Sequence, residues 1–361
     1  SRRRHTRYWR DWSSDVCSSD LEWERHDATW IAWPHHAPDW PGKFDAIPWV
    51  YAEIARVLAM HERVEILCHS PAIRAAASRV LAAHDVTRHV RLHLCPTDRA
   101  WLRDSGPTGV HRADGSVHWV HWGFNAWAKY PNHRRDAAVG RFIATQTKLP
   151  RREALRPDTG RRAILEGGGI ETDGRGTMLV TEEWLLSRVQ VRNRGMRRAE
   201  YEALFAAELG IRHTIWLGEG CVGDDTHGHV DDVARFVAPG VVVVAHERDR
   251  ADANHRRSAD NLRRLRRATD AHGRPLTVVT LPFPRPVMMA GMRLPASYAN
   301  FYIANGVVLV PTFNDPADRV ALETLARLMP RRRVVGIHAV DLVWGLGTLH
   351  CLTQQQPAAR R

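Results

Sequence analysis

A mixed α/β protein assembled from several similar sub-units is what this sequence predicts, on three observations. Strand-length apolar runs alternate with helix-period segments along the whole chain. No low-complexity linker interrupts them, and units of two or three strands with one helix recur without an exact sequence repeat. At 361 residues, 44% hydrophobic and 25% charged, the chain can fill a sizeable core, which excludes a largely disordered protein.

The first 21 residues follow neither period. Within them, residues 11–21 (DWSSDVCSSDL) read as one frame of a common sequencing-adaptor oligonucleotide. Residues 1–21 are therefore expected to be a non-native leader, and residues 22–361 a single domain. Over 45–60, Ile47, Val50, Tyr51, Ile54 and Leu58 share one face at helical spacing, which predicts an amphipathic helix. Strands follow at 64–68 and 90–95, with a helix between them. A helix at 199–209 leads to strands at 213–217, 230–236 and 240–246, and a helix at 255–269 leads to a strand at 276–281. Asn305-Gly306 turns one strand into the next, and 316–328 is the last helix.

Net charge is +12 with a pI near 10.2, which raises nucleic acid as a partner. Among the 52 basic residues, however, only Lys43, Lys129 and Lys148 are lysine. Arginine spread at lysine's expense, with many alanines, reads as GC-rich coding bias; the dense run 256–267 lies on a predicted helix and reads as solvated surface. No nucleic-acid partner is expected. No apolar run approaches the ~20 residues of a membrane span, so a soluble protein without a membrane partner is expected. Beyond the leader the cysteines are Cys68, Cys95, Cys221 and Cys351, with no CxxC pair, which predicts a reducing, cytoplasmic setting. Cys68 and Cys95 lie in strand-like runs and read as buried small hydrophobes.

Four polar clusters could carry chemistry. Asp104 precedes Ser-Gly-Pro in 97–107 and could simply cap that turn. Glu166 opens the glycine-rich stretch 165–177 and could pair with one of many arginines; no Lys-Ser/Thr follows to make a phosphate loop. The stretch 218–223 fits GxGxxG formally, but Asp224-Asp225-Thr226-His227 follows in place of an apolar helix start. His227, His229 and Asp231 would share one face of a strand and could converge on a metal, with structural roles or acid–base catalysis as alternatives. Cys351, in 344–357, follows a glycine-containing turn with few apolar neighbours. A cysteine with a distant histidine and several carboxylates fits thiol-based covalent catalysis. Carboxylates raise a thiol's pKa, so the set suits a cationic substrate: they grip a guanidinium, whose charge then stabilises the thiolate.

EWERHDATWIAWP, DWPGKF, WLRDSGP, FNAWAKY, LEGGGI, DDTHGHVDDVARF, SYANFYIANGVVLVPTFND and HCLTQQQP follow one another from about residue 22 to 357. Together they resemble the agmatine deiminase family, guanidine-modifying enzymes related to bacterial peptidyl-arginine deiminases. The resemblance implies a five-fold pseudosymmetric β/α-propeller (pentein) as the catalytic domain, with no metal and no other cofactor. It implies that Cys351 attacks the guanidinium carbon and that Asp104 and Asp231 hold the guanidinium nitrogens. His229 would protonate the departing ammonia and then activate water, while Glu166 orients His229 and touches the substrate. Trp101 is a candidate cation–π wall of the pocket, or equally a core residue. The implied reaction converts agmatine to N-carbamoylputrescine and ammonia, a step of putrescine biosynthesis. Three places depart from the family pattern: Trp184 where a small residue or cysteine is common, His227 where a shorter polar residue stands, and the stretch after FNAW. None is among the five chemical positions, so they bear on which guanidine is used.

The expected partner is a small cationic guanidine, with homo-oligomerisation left open. The alternatives are a deiminase of arginine or terminal peptidyl-arginine, a metal hydrolase on His227, His229 and Asp231, and a basic nucleic-acid binder of steep salt dependence.

Overall fold

Strands close in sequence pair into short ladders, and helices with one apolar face cover the crossovers between their parallel members. A computed structural model describes residues 16–19, 22–86 and 88–360. His26–Ala32 pairs parallel with Arg63–Cys68, which pairs parallel with Val90–Leu94, and Thr353–Pro357 returns from the far end of the chain to pair antiparallel with His26–Ala32. The parallel crossovers run through helices Ile47–Ala59 and Pro71–Ala83. Ile47, Tyr51, Ile54 and Leu58 are buried on the first of these helices, on the face their spacing marks.

The same plan recurs. Thr108–Arg112 and Val117–His121 form a hairpin, and Val117–His121 pairs parallel with Arg151–Glu153 after helix Asp136–Thr147. Thr177–Thr181 pairs with Glu171–Thr172 and, after helix Arg198–Leu209, with His213–Leu217. Ala234–Ala238, Val241–Ala245 and Thr277–Leu281 surround helix Asn254–Arg267. Tyr302–Ala304, Val307–Thr312 and Arg333–His338 surround helix Pro316–Leu328, and Gly306 takes φ +72° in the tight turn.

Two expectations are corrected. The described residues form six separate sheets of four, three, three, two, three and four strands, including a small hairpin of Met288–Met289 with Met292–Arg293. No ladder joins one sheet to the next and no closed barrel or propeller is formed among them, so the five-fold propeller gives way to an α/β fold of several small mixed sheets. The strand expected at 230–236 begins only at Ala234 and is preceded by a 3₁₀ turn, Val230–Asp232. His227 (φ 65°) and Gly228 (φ 101°) break the extended path. Asp231 and Asp232 then turn into the interior, where His350 and Asn300 bind them.

The buried apolar side chains fall into three clusters, the largest under the first and last sheets. The leader assignment covers residues 1–21, of which 1–15, 20 and 21 lie outside the described residues; Val16–Ser19 pairs antiparallel with Thr108–Arg112. Among the described residues no helix is long and apolar enough to cross a membrane.

Candidate active site

Short turns, each held by its own sequence chemistry, deliver the polar side chains singled out above. Asp104 lies in the one-turn helix Leu102–Ser105, and Glu166 stands just before the 3₁₀ turn Gly167–Gly169. His229 precedes the turn Val230–Asp232, and Cys351 lies in the one-turn helix Leu349–Leu352. The triple glycine explains how they meet. A Cβ on Gly168 would lie 2.7 Å from His229 Nδ1 and 2.9 Å from both Asp104 Oδ1 and Asp231 Oδ2. Three side chains therefore converge on a backbone that only glycine leaves open, and the Gly168 amide donates to Asp104 Oδ1 at 3.0 Å.

His229 stands between two carboxylates, its Nδ1 3.7 Å from Asp104 Oδ1 and its Nε2 3.6 Å from Glu166 Oε2. Both ring nitrogens are buried without a hydrogen-bond partner among the described residues, as is Asp231 Oδ1. Unsatisfied buried polar atoms cost about 1–3 kcal/mol each, so three at one place suit a ligand that supplies the missing bonds. Glu166 is held from behind: Arg192 Nε donates to Oε1 at 3.0 Å and Trp184 Nε1 to Oε2 at 2.7 Å. Trp127 Nε1 donates to Asp104 Oδ2 at 2.8 Å. His350 Nδ1 donates to Asp231 Oδ2 at 2.7 Å, and the Cys351 thiol lies 3.5 Å from the same oxygen. Asn300 Nδ2 donates to Cys351 Sγ at 3.1 Å, and its Oδ1 accepts from Thr348 and from the His350 amide.

Electrostatics separate these groups. Burial, with the charges of Asp231 and Glu166 nearby, pushes Asp104 up to about 6 against the pull of His229. Burial opposes charge on Glu166 as well, but Arg192 and His229 bring it down to about 2. Asp231 is held below the usual carboxylate range, since His350 outweighs its burial. Burial alone would lower His229, yet Asp104 and Glu166 raise it to about 9. Burial and then Asp231, Asp232 and Asp104 push the Cys351 thiol well above 9.

A cavity of about 300 Å³ reaches this cluster at Cys351 and Asp104, with Trp101, Asp39, Arg99 and Asp225 lining it as well. Trp101 is both wall and packing residue: it lines the cavity and lies 5.4 Å from the Trp40 ring. A Cβ on Gly347 would lie 2.9 Å from Trp101 and 3.1 Å from Cys351 Cβ, so only glycine lets the backbone pass between these two side chains.

Cys351, His229, Glu166, Asp104 and Asp231 thus lie in one connected cluster, with Trp101 at its edge. His227 is not part of it: its Nε2 meets Ser187 Oγ at 2.9 Å. The three-ligand metal reading fails with it, because its strand is a turn. Among the described residues the His/Cys/Asp/Glu group whose donor atoms lie within 4.8 Å of one another is Glu22, Glu171 and His350. Arg235 already binds both of those glutamates, which leaves that group poorly suited to a cation. Sequence reasoning missed His350, Asn300, Arg192, Trp127 and the role of Trp184. His350, beside the cysteine, and Asn300 and Trp127, inside quoted motifs, carried a local signal; Trp184 stood out only as a departure, and Arg192 carried none.

Comparison with known proteins places these features in context. A family model described as Porphyromonas-type peptidyl-arginine deiminase matches residues 19–357. An agmatine deiminase of Pseudomonas aeruginosa (strain LESB58) is 35% identical over 94% of this chain and 95% of its own. One from Pseudomonas fluorescens (strain SBW25) is also 35% identical, with the same coverage. The solved structure of the agmatine deiminase of Enterococcus faecalis superposes with a TM-score of 0.87 at 29% identity, covering 97% of each chain.

Proposed function

This chain belongs to the Porphyromonas-type peptidyl-arginine deiminase family, and from that premise we propose how its cysteine-dependent hydrolysis of a guanidine C–N bond proceeds on agmatine. The products are N-carbamoylputrescine and ammonia. In the free protein the thiol is neutral and His229 is an imidazolium, which follows from their opposed environments. A guanidinium seated against Asp104 and Asp231 offsets the negative charge that holds the thiol protonated, so on binding the thiol gives its proton up to solvent and becomes the thiolate. Sulfur attacks the guanidinium carbon and a C–S bond forms. The C–N bond to the terminal nitrogen breaks as His229 delivers its proton, and ammonia leaves. Neutral His229 then takes a proton from water and the hydroxide adds to the thiouronium carbon; the C–S bond breaks as the new hydroxyl passes its proton to the departing sulfur, releasing the ureido product and the Cys351 thiol. Glu166, anionic throughout, holds His229 in place.

The observation that carries this reading is the convergence of Cys351, His229 and three buried carboxylates in one cluster, which Cys351 and Asp104 open to the cavity. Free arginine is the second substrate to test, because Arg99 in the lining and Lys129 beside it place two cations near the cavity, each already facing a carboxylate, Asp39 and Asp225. We also infer no nucleic-acid role: Arg256, Arg257, Arg263 and Arg264 face Glu219, Glu183, Asp260 and Glu182.

The test is a parallel incubation with agmatine, arginine and an arginyl peptide, EDTA present, measuring ammonia and ureido product on the full-length protein. Turnover of agmatine alone, absent in Cys351→Ser, supports chemistry and substrate together. Turnover of another guanidine keeps the mechanism and changes the substrate. Silence on all three from folded protein overturns the reading.

A further inference from the structure

Trp184 does more than fill space behind the site. Its side chain is 1% exposed, its Nε1–H donates to Glu166 Oε2 at 2.7 Å, and its ring meets the His229 ring at 5.5 Å between centroids, edge to face at 82°. The oxygen it binds is the one facing His229 Nε2, at 3.6 Å. Its place is fixed on the other side by Gly169, where a Cβ would lie 2.4 Å from the indole carbons. Thr181 Oγ1 caps the Glu182–Leu186 turn by accepting from the Trp184 amide at 3.1 Å, and the same hydroxyl donates to the Gly228 carbonyl, one residue before His229. One indole therefore contacts the general acid–base histidine and its orienting carboxylate at once, from a turn tied to the histidine's own loop.

We propose that Trp184 is a positioning residue of the deimination reaction, whose indole N–H holds Glu166 Oε2 and limits how strongly that oxygen draws on the His229 proton. The proposal rests on the assignment of His229 as proton donor made above. Two donors compete for Oε2. While the indole occupies one lone pair, the carboxylate stays anchored and its pull on the imidazolium is weakened. Without the N–H, Oε2 turns its full charge on His229, which binds its proton harder and yields it more slowly to the leaving ammonia. The charged groups facing His229 are Asp104 from the Leu102–Ser105 helix, Glu166 from the glycine turn with Arg192 behind it, and Asp231 from its own turn. Trp184→Phe alters none of these and removes one donor.

Two measurements on full-length Trp184→Phe and wild type test this. Imidazole ¹⁵N NMR titration reads His229 without needing turnover, and a kcat–pH profile on agmatine reads its use. The expected result is a His229 midpoint higher by about half a pH unit and a kcat lower by about twofold to threefold, with KM changed less than about twofold. Site-specific benzothienylalanine at position 184 keeps the ring shape without the N–H and should reproduce the phenylalanine result. An unchanged His229 midpoint in folded Trp184→Phe overturns the proposal, as does a benzothienyl protein indistinguishable from wild type. Wild-type inactivity toward every guanidine instead overturns the functional reading, while the NMR arm still decides what Trp184 does to His229.

Discussion

At the residue scale the account rests on opposed proton affinities. The thiol of Cys351 is held protonated by burial and three carboxylates, while His229 holds its proton up to about 9. Cys351→Ser should abolish turnover, by at least roughly a thousandfold, and leave the fold intact. Cys68→Ser should touch stability alone, since Cys68 is buried in a strand and burial drives its thiol up to about 12. The pH profile follows from two signs. Asp104 must be ionised to hold a guanidinium and its affinity for protons is raised, so kcat/KM should fall as pH drops through about 6. His229 must be protonated at the first step, so activity should fall again above about 9. A profile flat from pH 5 to pH 10 would contradict both assignments. The five side chains that the fold brings into one cluster stood out in the sequence because each sits in a long motif. Trp184 was legible only as an oddity, because its contacts with Glu166 and His229 come from chain segments 18 and 45 residues away.

At the element scale, turns carry the chemistry and strands only place them. The triple glycine shows this best, since Gly168 leaves room for His229, Asp104 and Asp231 to meet. Gly168→Ala should lower kcat/KM by at least about a hundredfold, because a displacement of this size misaligns the reacting groups. Far-UV circular dichroism should stay native; a fully active Gly168→Ala protein would show that the convergence is not required. Helix positions were readable from periodicity, as the buried face of Ile47–Ala59 shows. The Val230–Asp232 turn was not, because Val230, Val233 and Phe236 look like a strand until the buried acids between them find partners over 60 residues away.

At the scale of the whole molecule, a buried ionic network ties the core to the site. Arg235, fully buried, pairs with Glu22 and Glu171 and donates to the Phe301 carbonyl at 2.7 Å. Glu22 also meets His350, whose other nitrogen holds Asp231. Arg235→Met should cost about 3–5 kcal/mol of stability, because it leaves buried Glu171 without its cation and Glu22 with only His350 and Arg103, and urea denaturation would measure it. A loss under 1 kcal/mol would show those glutamates are neutral in the fold. Composition announced none of this: the surplus of arginine gives no hint that one of them lies at the centre. It equally did not reveal that the similar sub-units remain six separate sheets, since alternation along the chain fixes local pairing and says little about how sheets are arranged.

The central claim is a covalent bond between Cys351 and the substrate's guanidinium carbon. The most direct measurement is mass spectrometry of protein acid-quenched during turnover of agmatine in EDTA, followed by peptide mapping. An N-alkyl amidino adduct is expected on the peptide carrying Cys351, formed with ammonia release, lost with release of the ureido product, and absent in Cys351→Ser. Sustained ammonia release with no adduct, or turnover surviving in Cys351→Ser, would contradict it.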